Sequence, residues 1–300
     1  MEVTFFIQSL LPPKPGQPDT WPLVAERVAI SHRRPDYVLL NEVEDDWARS
    51  GKRLDERAAE DLEMGLLSPA SPASGKRCVV LYNPDTVGEP VDDLLESGAL
   101  HEDRSWRTLH GWATGWWRLP VGSGAAQREV LIGVCSFKFT PFSLEAAVVE
   151  AGYAATHSMR GGEYAFMGGD VNFSPADPRN GEPNWTNQRP YNRGSRAVPG
   201  TARNENPEAD RSVARKLIDK GWDDPAFELA MRTGNHAILR HTSLSDYDRI
   251  DAGHCTPPLT GALTHYQTLD EPVGASNHHG LVYTFDLELA DPHPMPVVWN

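Results

Sequence analysis

Four short stretches of this 300-residue chain carry side chains able to do acid–base chemistry. In YVLLNEV an apolar run closes on Asn41 and Glu42, placing an acid at the carboxyl end of a buried strand, where open sheets gather their ligands. In YAFMGGDVN the paired glycines allow close approach to the backbone, and strand alternation aims Asp170 and Asn172 to one side. An acid and an amide two residues apart supply a proton acceptor and a neutral hydrogen-bonding group, a pair suited to orienting water against phosphorus. In SDYDRIDAGH, Asp251 stands on an expected strand, and Ser276-Asn277-His278 comes just before the last strand. A histidine at a strand mouth with an aspartate partner is the arrangement that fixes an imidazole tautomer. Singly, each stretch has an ordinary reading, since strands often end in charge and most histidines are structural.

The elements that must position these groups are strands. Apolar runs rich in Val, Ile and Phe recur as VTFFIQSL, YVLLNEV, RCVVLYN, EVLIGVCSFKF, EYAFMGGDVN and LVYTFDLEL, the last with period-two alternation. Three helices are predicted: WPLVAERVAISHRR after Thr20, SLEAAVVEAGYAATHSM with Ser143 as N-cap, and PEADRSVARKLIDK with Pro207 at its first position and Gly221 at its end. Residues 65–76 read as a surface loop, and residues 173–206 as a long loop insertion, a length that in a compact domain is functional or disordered. Trp106, Trp112, Trp116 and Trp117 read as packing. With 42 acidic and 28 basic residues, the net charge of −14 opposes a general nucleic-acid coat, although it allows a local basic groove. Cys78, Cys135 and Cys255 lie far apart and read as reduced, buried thiols, neither a disulfide framework nor a zinc site. The N-terminal MEVTFFIQSLLPPKP lacks a basic region and is broken by Pro12 and Pro13, so a first strand is expected, with no membrane span and a cytoplasmic location.

Together and in this order, LNEV at 40–43, SFKF at 136–139, GDVN at 169–172, RID at 249–251 and SNH at 276–278 resemble the endonuclease/exonuclease/phosphatase superfamily, the deoxyribonuclease-I-like group. The correspondence spans nearly the whole chain. It implies one α/β domain over 1–300, a four-layer α/β/β/α sandwich of two stacked mixed sheets flanked by helices; a monomer is expected. It implies metal-assisted hydrolysis of a phosphoester by an activated water. In that resemblance Glu42 is the metal-binding acid, with Asn277 beside the metal, and the hard oxygens suit Mg2+ or Mn2+. Asp170 orients or activates the water, Asn172 contacts the phosphate, and Asp251 holds the catalytic His278.

Three positions depart from the pattern. Phe6 stands where the first strand should offer an Asn, with Gln8 on the same strand face as a substitute. Lys138 stands in place of a histidine, and Asn277 replaces an acid. Fewer anionic ligands should weaken divalent-metal binding, and Lys138, if it faces the site, can compensate as a fixed cation in a catalytic role. The insertion is the expected source of substrate contacts. From Arg179 to Lys216 eight basic residues face four acidic ones, and Trp185 and Tyr191 add flat surfaces. Arg189, Arg193, Trp185, Tyr191 and Asn41 are the predicted substrate-binding residues. The phosphate ester is expected to be a small metabolite or nucleotide, because duplex binding needs an extended phosphate-matching surface. A nuclease acting on DNA or RNA, and a non-hydrolytic binding protein or enzyme of altered chemistry on the same fold, are the alternatives.

Overall fold

The structure is a computed structural model describing residues 1–291 apart from positions 15, 45–46, 48–52, 69–71, 73, 92–95, 98–107, 125–126, 161–163 and 246. Trp106, and part of the loop expected over 65–76, lie outside the described residues. The strands are β1 (Glu2–Ser9), β2 (Tyr37–Glu44), β3 (Gly65–Leu67), β4 (Lys76–Tyr82), β5 (Glu96–Ser97), β6 (Ala113–Val121), β7 (Arg128–Lys138), β8 (Tyr164–Asp170), β9 (Asp251–Cys255), β10 (Leu263–Leu269) and β11 (Gly280–Asp286). They form a six-stranded sheet ordered β10-β11-β1-β2-β4-β3 and a five-stranded sheet ordered β5-β6-β7-β8-β9. Both sheets are mixed: β1 and β2 run parallel, as do β7 and β8, and the other neighbours are antiparallel.

The helices are α1 (Trp21–Ala29), α2 (Leu54–Leu62), α3 (Pro84–Val87), α4 (Leu144–Ser158), α5 (Pro190–Arg196), α6 (Ser212–Asp219), α7 (Pro225–Thr233) and α8 (Pro257–Thr260). Side-chain alternation divides the apolar residues into three layers. Phe5, Tyr37, Val80, Trp117, Ile132, Phe166 and Tyr283 fill the space between the sheets. On the outside of the first sheet, Phe6, Val38, Leu81 and Val282 pack on Trp21 and Val24 of α1 and on Leu54 and Ala58 of α2. On the outside of the second, Trp116, Phe137 and Met167 pack on Ala151 and Ala155 of α4 and on Val213 and Leu217 of α6. The result is the four-layer α/β/β/α sandwich expected from the sequence. Trp112, Trp116 and Trp117 are buried packing residues, and Cys78, Cys135 and Cys255 are buried free thiols.

Four local expectations are corrected. The first helix stops at Ala29 rather than Arg34, because the Ser31 hydroxyl donates to the Val28 and Arg33 carbonyls, both at 2.7 Å, and draws the chain out of the helix. The third starts at Ser212, not Pro207, because Ala209 bridges to Ala197 after α5, and Asp210 Oδ1 then accepts from the Ser212 amide at 2.8 Å. Within 65–76, Gly65–Leu67 pairs with β4 as a strand, and the long insertion contains α5.

Candidate active site

Between the sheets the inward positions are apolar for most of each strand and turn polar at one end. In β1, Val3, Phe5 and Ile7 give way to Ser9; in β2, Leu39 gives way to Asn41; in β7, Val134 gives way to Ser136 and Lys138; in β8, Phe166 gives way to Asp170. β9 begins on Asp251 at the same end. Because side chains alternate with period two, each polar residue follows its apolar predecessor onto the inner face. Register then aligns them, with Ser9 opposite Asn41, Lys138 opposite Asp170, and Asp170 opposite Asp251. The glycines before Asp170 make that crossing tight: a Cβ on Gly169 would sit 1.7 Å from the Phe137 carbonyl oxygen, and one on Gly168 would sit 2.4 Å from Ile7 Cδ1.

Glu42 reaches the site by breaking the alternation. The β2–β4 register shifts between Leu40 and Val43, and Glu42 there has φ of 59°, a bulge that re-aims its carboxylate. Lys138 Nζ pairs with Glu42 Oε1, and Lys76 Nζ, at the start of β4, pairs with Glu42 Oε2. Lys138 Nζ also pairs with Asp170 Oδ2 at 2.5 Å. Burial would raise the Glu42 pKa, but Lys138 and Lys76 outweigh it and hold it below the usual carboxylate range. Burial would likewise lower Lys138, but Asp170 and Glu42 raise it above the ordinary lysine value. Asp170 itself is raised by burial and by neighbouring Asp251, against the pull of Lys138.

On the other side of Asp170 lies a dyad. His278 Nδ1 meets Asp251 Oδ2 at 2.7 Å, Ser9 Oγ donates to Asp251 Oδ1 at 3.0 Å, and the Asp251 amide donates to Thr242 Oγ1 at 2.9 Å. Burial works to lower the His278 pKa, and Asp251 more than reverses that, so the imidazolium is favoured. With Nδ1 on the carboxylate, Nε2 is the ring nitrogen left for proton exchange. The loop before β11 is braced by Gln8, whose Nε2 donates to Ser276 Oγ at 3.0 Å and to the His278 carbonyl at 2.9 Å. Phe6 points to the outer helices, so the first-strand residue facing the site is Ser9 rather than Phe6 or Gln8.

The remaining predicted residues divide. Asn172, at φ of 61°, donates its backbone amide to Asp170 Oδ1 at 2.9 Å and its side-chain Nδ2 to the Phe139 carbonyl at 2.7 Å, which fixes it beside the aspartate. Asn41 is fully buried, its amide donating to Ser136 Oγ at 3.1 Å and the Phe137 carbonyl at 2.8 Å, so it supports the site from below. Asn277 Nδ2 donates to Ser245 Oγ at 2.9 Å. Arg193 clamps the insertion by donating to the Ala202, Trp185, Asn204 and Glu205 carbonyls. Trp185 is half-buried, and Arg189 and Tyr191 are exposed and bonded to each other at 3.2 Å. The sequence reading missed Ser9 and Lys76. It also missed the buried His110, whose pKa burial and then Lys138 push down to about 4. Period two extended from Ile7 would have found Ser9; Lys76 and His110 had no local signal.

Among the described residues, Asp170, Asp251 and His278 form a buried group whose donor atoms lie within 4.8 Å of one another. Every carboxylate oxygen in that group already has a hydrogen-bond partner. At the expected metal position both Glu42 oxygens face ammonium groups, and Asn277 is turned to Ser245. A hard divalent cation needs free carboxylate oxygens, so these residues do not fit one in this arrangement.

No family model matches the chain, and no curated protein matches it. Among solved structures it is similar to an endonuclease/exonuclease/phosphatase from Bacteroides vulgatus, with TM-score 0.60 and 13% identity over 96% of this chain and 100% of that one. It is similar to an AP endonuclease from Archaeoglobus fulgidus, with TM-score 0.56 and 15% identity over 95% of this chain and 99% of that one. A third likeness is to the 3′ phosphatase NExo from Neisseria bound to a product DNA hairpin, with TM-score 0.55 and 15% identity over 95% of this chain and 99% of that one. Two mixed sheets in the same four layers, polar at one shared end, give this chain the endonuclease/exonuclease/phosphatase fold.

Proposed function

We propose that the protein hydrolyses a phosphate ester, with a small phosphorylated metabolite or nucleotide as the substrate class. The observation that carries this reading is the placement of the His278–Asp251 pair and the Lys138–Asp170 pair at one polar strand end. Asp170 orients the attacking water and takes its proton as the new P–O bond forms. His278, held as the imidazolium by Asp251, gives a proton from Nε2 to the leaving oxygen as the old P–O bond breaks. Lys138 and Asn172 supply positive charge and a neutral donor to the phosphoryl oxygens. Ester and water go to alcohol and phosphate with no change in net proton count.

A nuclease is the second reading, favoured by the DNA hairpin bound to NExo. No step above uses Mg2+ or Mn2+, implied by the sequence resemblance, because Glu42 and Asn277 do not fit one as they stand. A panel of phosphomonoesters, phosphodiesters and oligonucleotides, assayed in chelator and with Mg2+ or Mn2+, tests both readings. Loss of about 10²–10⁴-fold in kcat is expected for His278→Ala on whichever class is turned over. Absence of turnover on the whole panel would sink the proposal.

A further inference from the structure

We propose that Lys138 is the resident cation of this site, standing between Glu42 and Asp170 in place of a divalent metal, and that the protein binds a phosphoryl group without one. Strand register, not a mobile side chain, sets the position: Lys138 is the last residue of β7 and lies directly opposite Asp170, the last residue of β8. Its side chain is buried, at 6% exposure, and its ammonium touches the carboxylate oxygens of both Glu42 and Asp170. Glu42 and Asp170 are matched in charge by Lys138 and Lys76, and Lys76 also lies 3.6 Å from Glu44 Oε1 on its outer side. Adding a divalent cation would place it against two ammonium groups, and among the described residues both oxygens of Glu42 and both of Asp170 are already engaged.

The arrangement also leaves something for a substrate. A lysine ammonium carries three donors in no fixed plane. Glu42 and Asp170 take two of them, and the third is available to a phosphoryl oxygen. Lys76, 30% exposed, adds a second positive charge at the edge of the same carboxylate. The bulge at Glu42 acquires a purpose in this light, since the left-handed backbone there aims one carboxylate between two lysines.

The inference rests on the hydrolase reading for its phosphoryl ligand, and the tests separate the two. Titration with Mn2+, followed by loss of the free-ion paramagnetic resonance signal, should show the wild-type protein binding more weakly than about 1 mM. Lys138→Ala uncovers Glu42 and Asp170 and should tighten Mn2+ binding at least tenfold; the double change Lys138→Ala with Glu42→Gln should lose that gain. Wild-type binding tighter than about 10 µM, or no gain in a folded Lys138→Ala, overturns the proposal. Should Lys138→Ala fail to fold, calorimetry of the wild-type protein with inorganic phosphate decides. Equal affinity within about twofold in chelator and in Mg2+ is expected; binding that requires Mg2+, or none in chelator, overturns it. Turnover that needs added metal would sink this proposal and leave the hydrolase standing. Absent turnover with unchanged Mn2+ results would do the reverse.

Discussion

Ser9 holds Asp251 by one hydrogen bond of 3.0 Å and Asp251 holds His278 by another of 2.7 Å, so each member of the chain orients the next. The two links are unequal. Asp251 fixes the tautomer and stabilises the imidazolium, while Ser9 gives a single hydroxyl hydrogen bond to a carboxylate that already has a partner. Replacing Asp251 with Asn should therefore lower kcat about 10³–10⁴-fold. Ser9→Ala removes one hydrogen bond to a charged group, about 1.5 kcal/mol, and should cost about tenfold in kcat with little change in KM. Steady-state kinetics on the two variants checks the ranking. Equal losses would mean that Ser9 touches the reacting atoms, and a pure KM effect would mean that it binds substrate.

At the scale of elements, Asp224 joins three pieces of chain that carry the site. Its Oδ1 caps α7 by accepting from the Phe227 amide at 3.1 Å, its two oxygens pair with Arg249 at 2.7 and 3.2 Å just before Asp251, and Asn180 of the insertion donates to it at 2.7 Å. Burial would raise its pKa, yet Arg249 lowers it from 3.8 to about 2. A folded-state pKa below the unfolded one contributes stability that is whole above the unfolded value and is lost as pH falls through the folded one. The contribution is about 2 kcal/mol, lost between about pH 4 and pH 2. Asp224→Asn keeps a capping residue but leaves Arg249 buried and unpaired, so it should cost about 3 kcal/mol at pH 7, and the gap from wild type should narrow by pH 2. Urea unfolding of both proteins across that range gives the difference, and a gap independent of pH would refute the assignment. The same scale shows what was legible beforehand. Apolar runs announced β1, β2, β4, β7, β8 and β11, and Glu42, Asp170 and His278 beside them were visible because a strand end is a local feature. β6 was hidden by Gly115, Arg118 and Pro120, and β10 by the polar residues of LTHYQTL, since their burial comes from pairing rather than composition. Lys76 and His110 enter only when distant strands pair, and Glu42 meets two lysines only through a bulge, which no periodicity announces.

For the whole molecule, the net charge of −14 and the excess of basic residues in the insertion point in opposite directions until their partners are known. Arg179 pairs with Asp177, Arg196 with Asp248 and Arg211 with Glu182, while Arg193 serves backbone carbonyls. Half of the eight basic side chains thus hold the insertion together and present little net charge to a polyanion. Nor does the neighbouring cavity of about 270 Å³ supply any: it opens on the outer face of β9 and the chain that follows β8, where Asp177, Asp223, Asp224 and Glu228 outnumber Arg249. Lys138 and Lys76 are paired with acids as well, so on the proposed reading they serve one phosphoryl group at the site and offer no extended surface to a polyanion. This predicts a shallow dependence on salt. A protein contacting 6–10 phosphates of a duplex loses about 10³–10⁵ in affinity between 50 and 200 mM salt, because each neutralised phosphate releases counterions. With one phosphate engaged by two lysines, KM for the preferred substrate should change by less than about tenfold over that interval, and a 20-base-pair duplex should compete poorly even at the lower salt. Steady-state KM across the salt series, with the duplex as competitor, measures both. A steep salt slope with strong duplex competition would move the assignment from small phosphate esters to nucleic acid, and would require a phosphate-binding surface beyond Lys138 and Lys76.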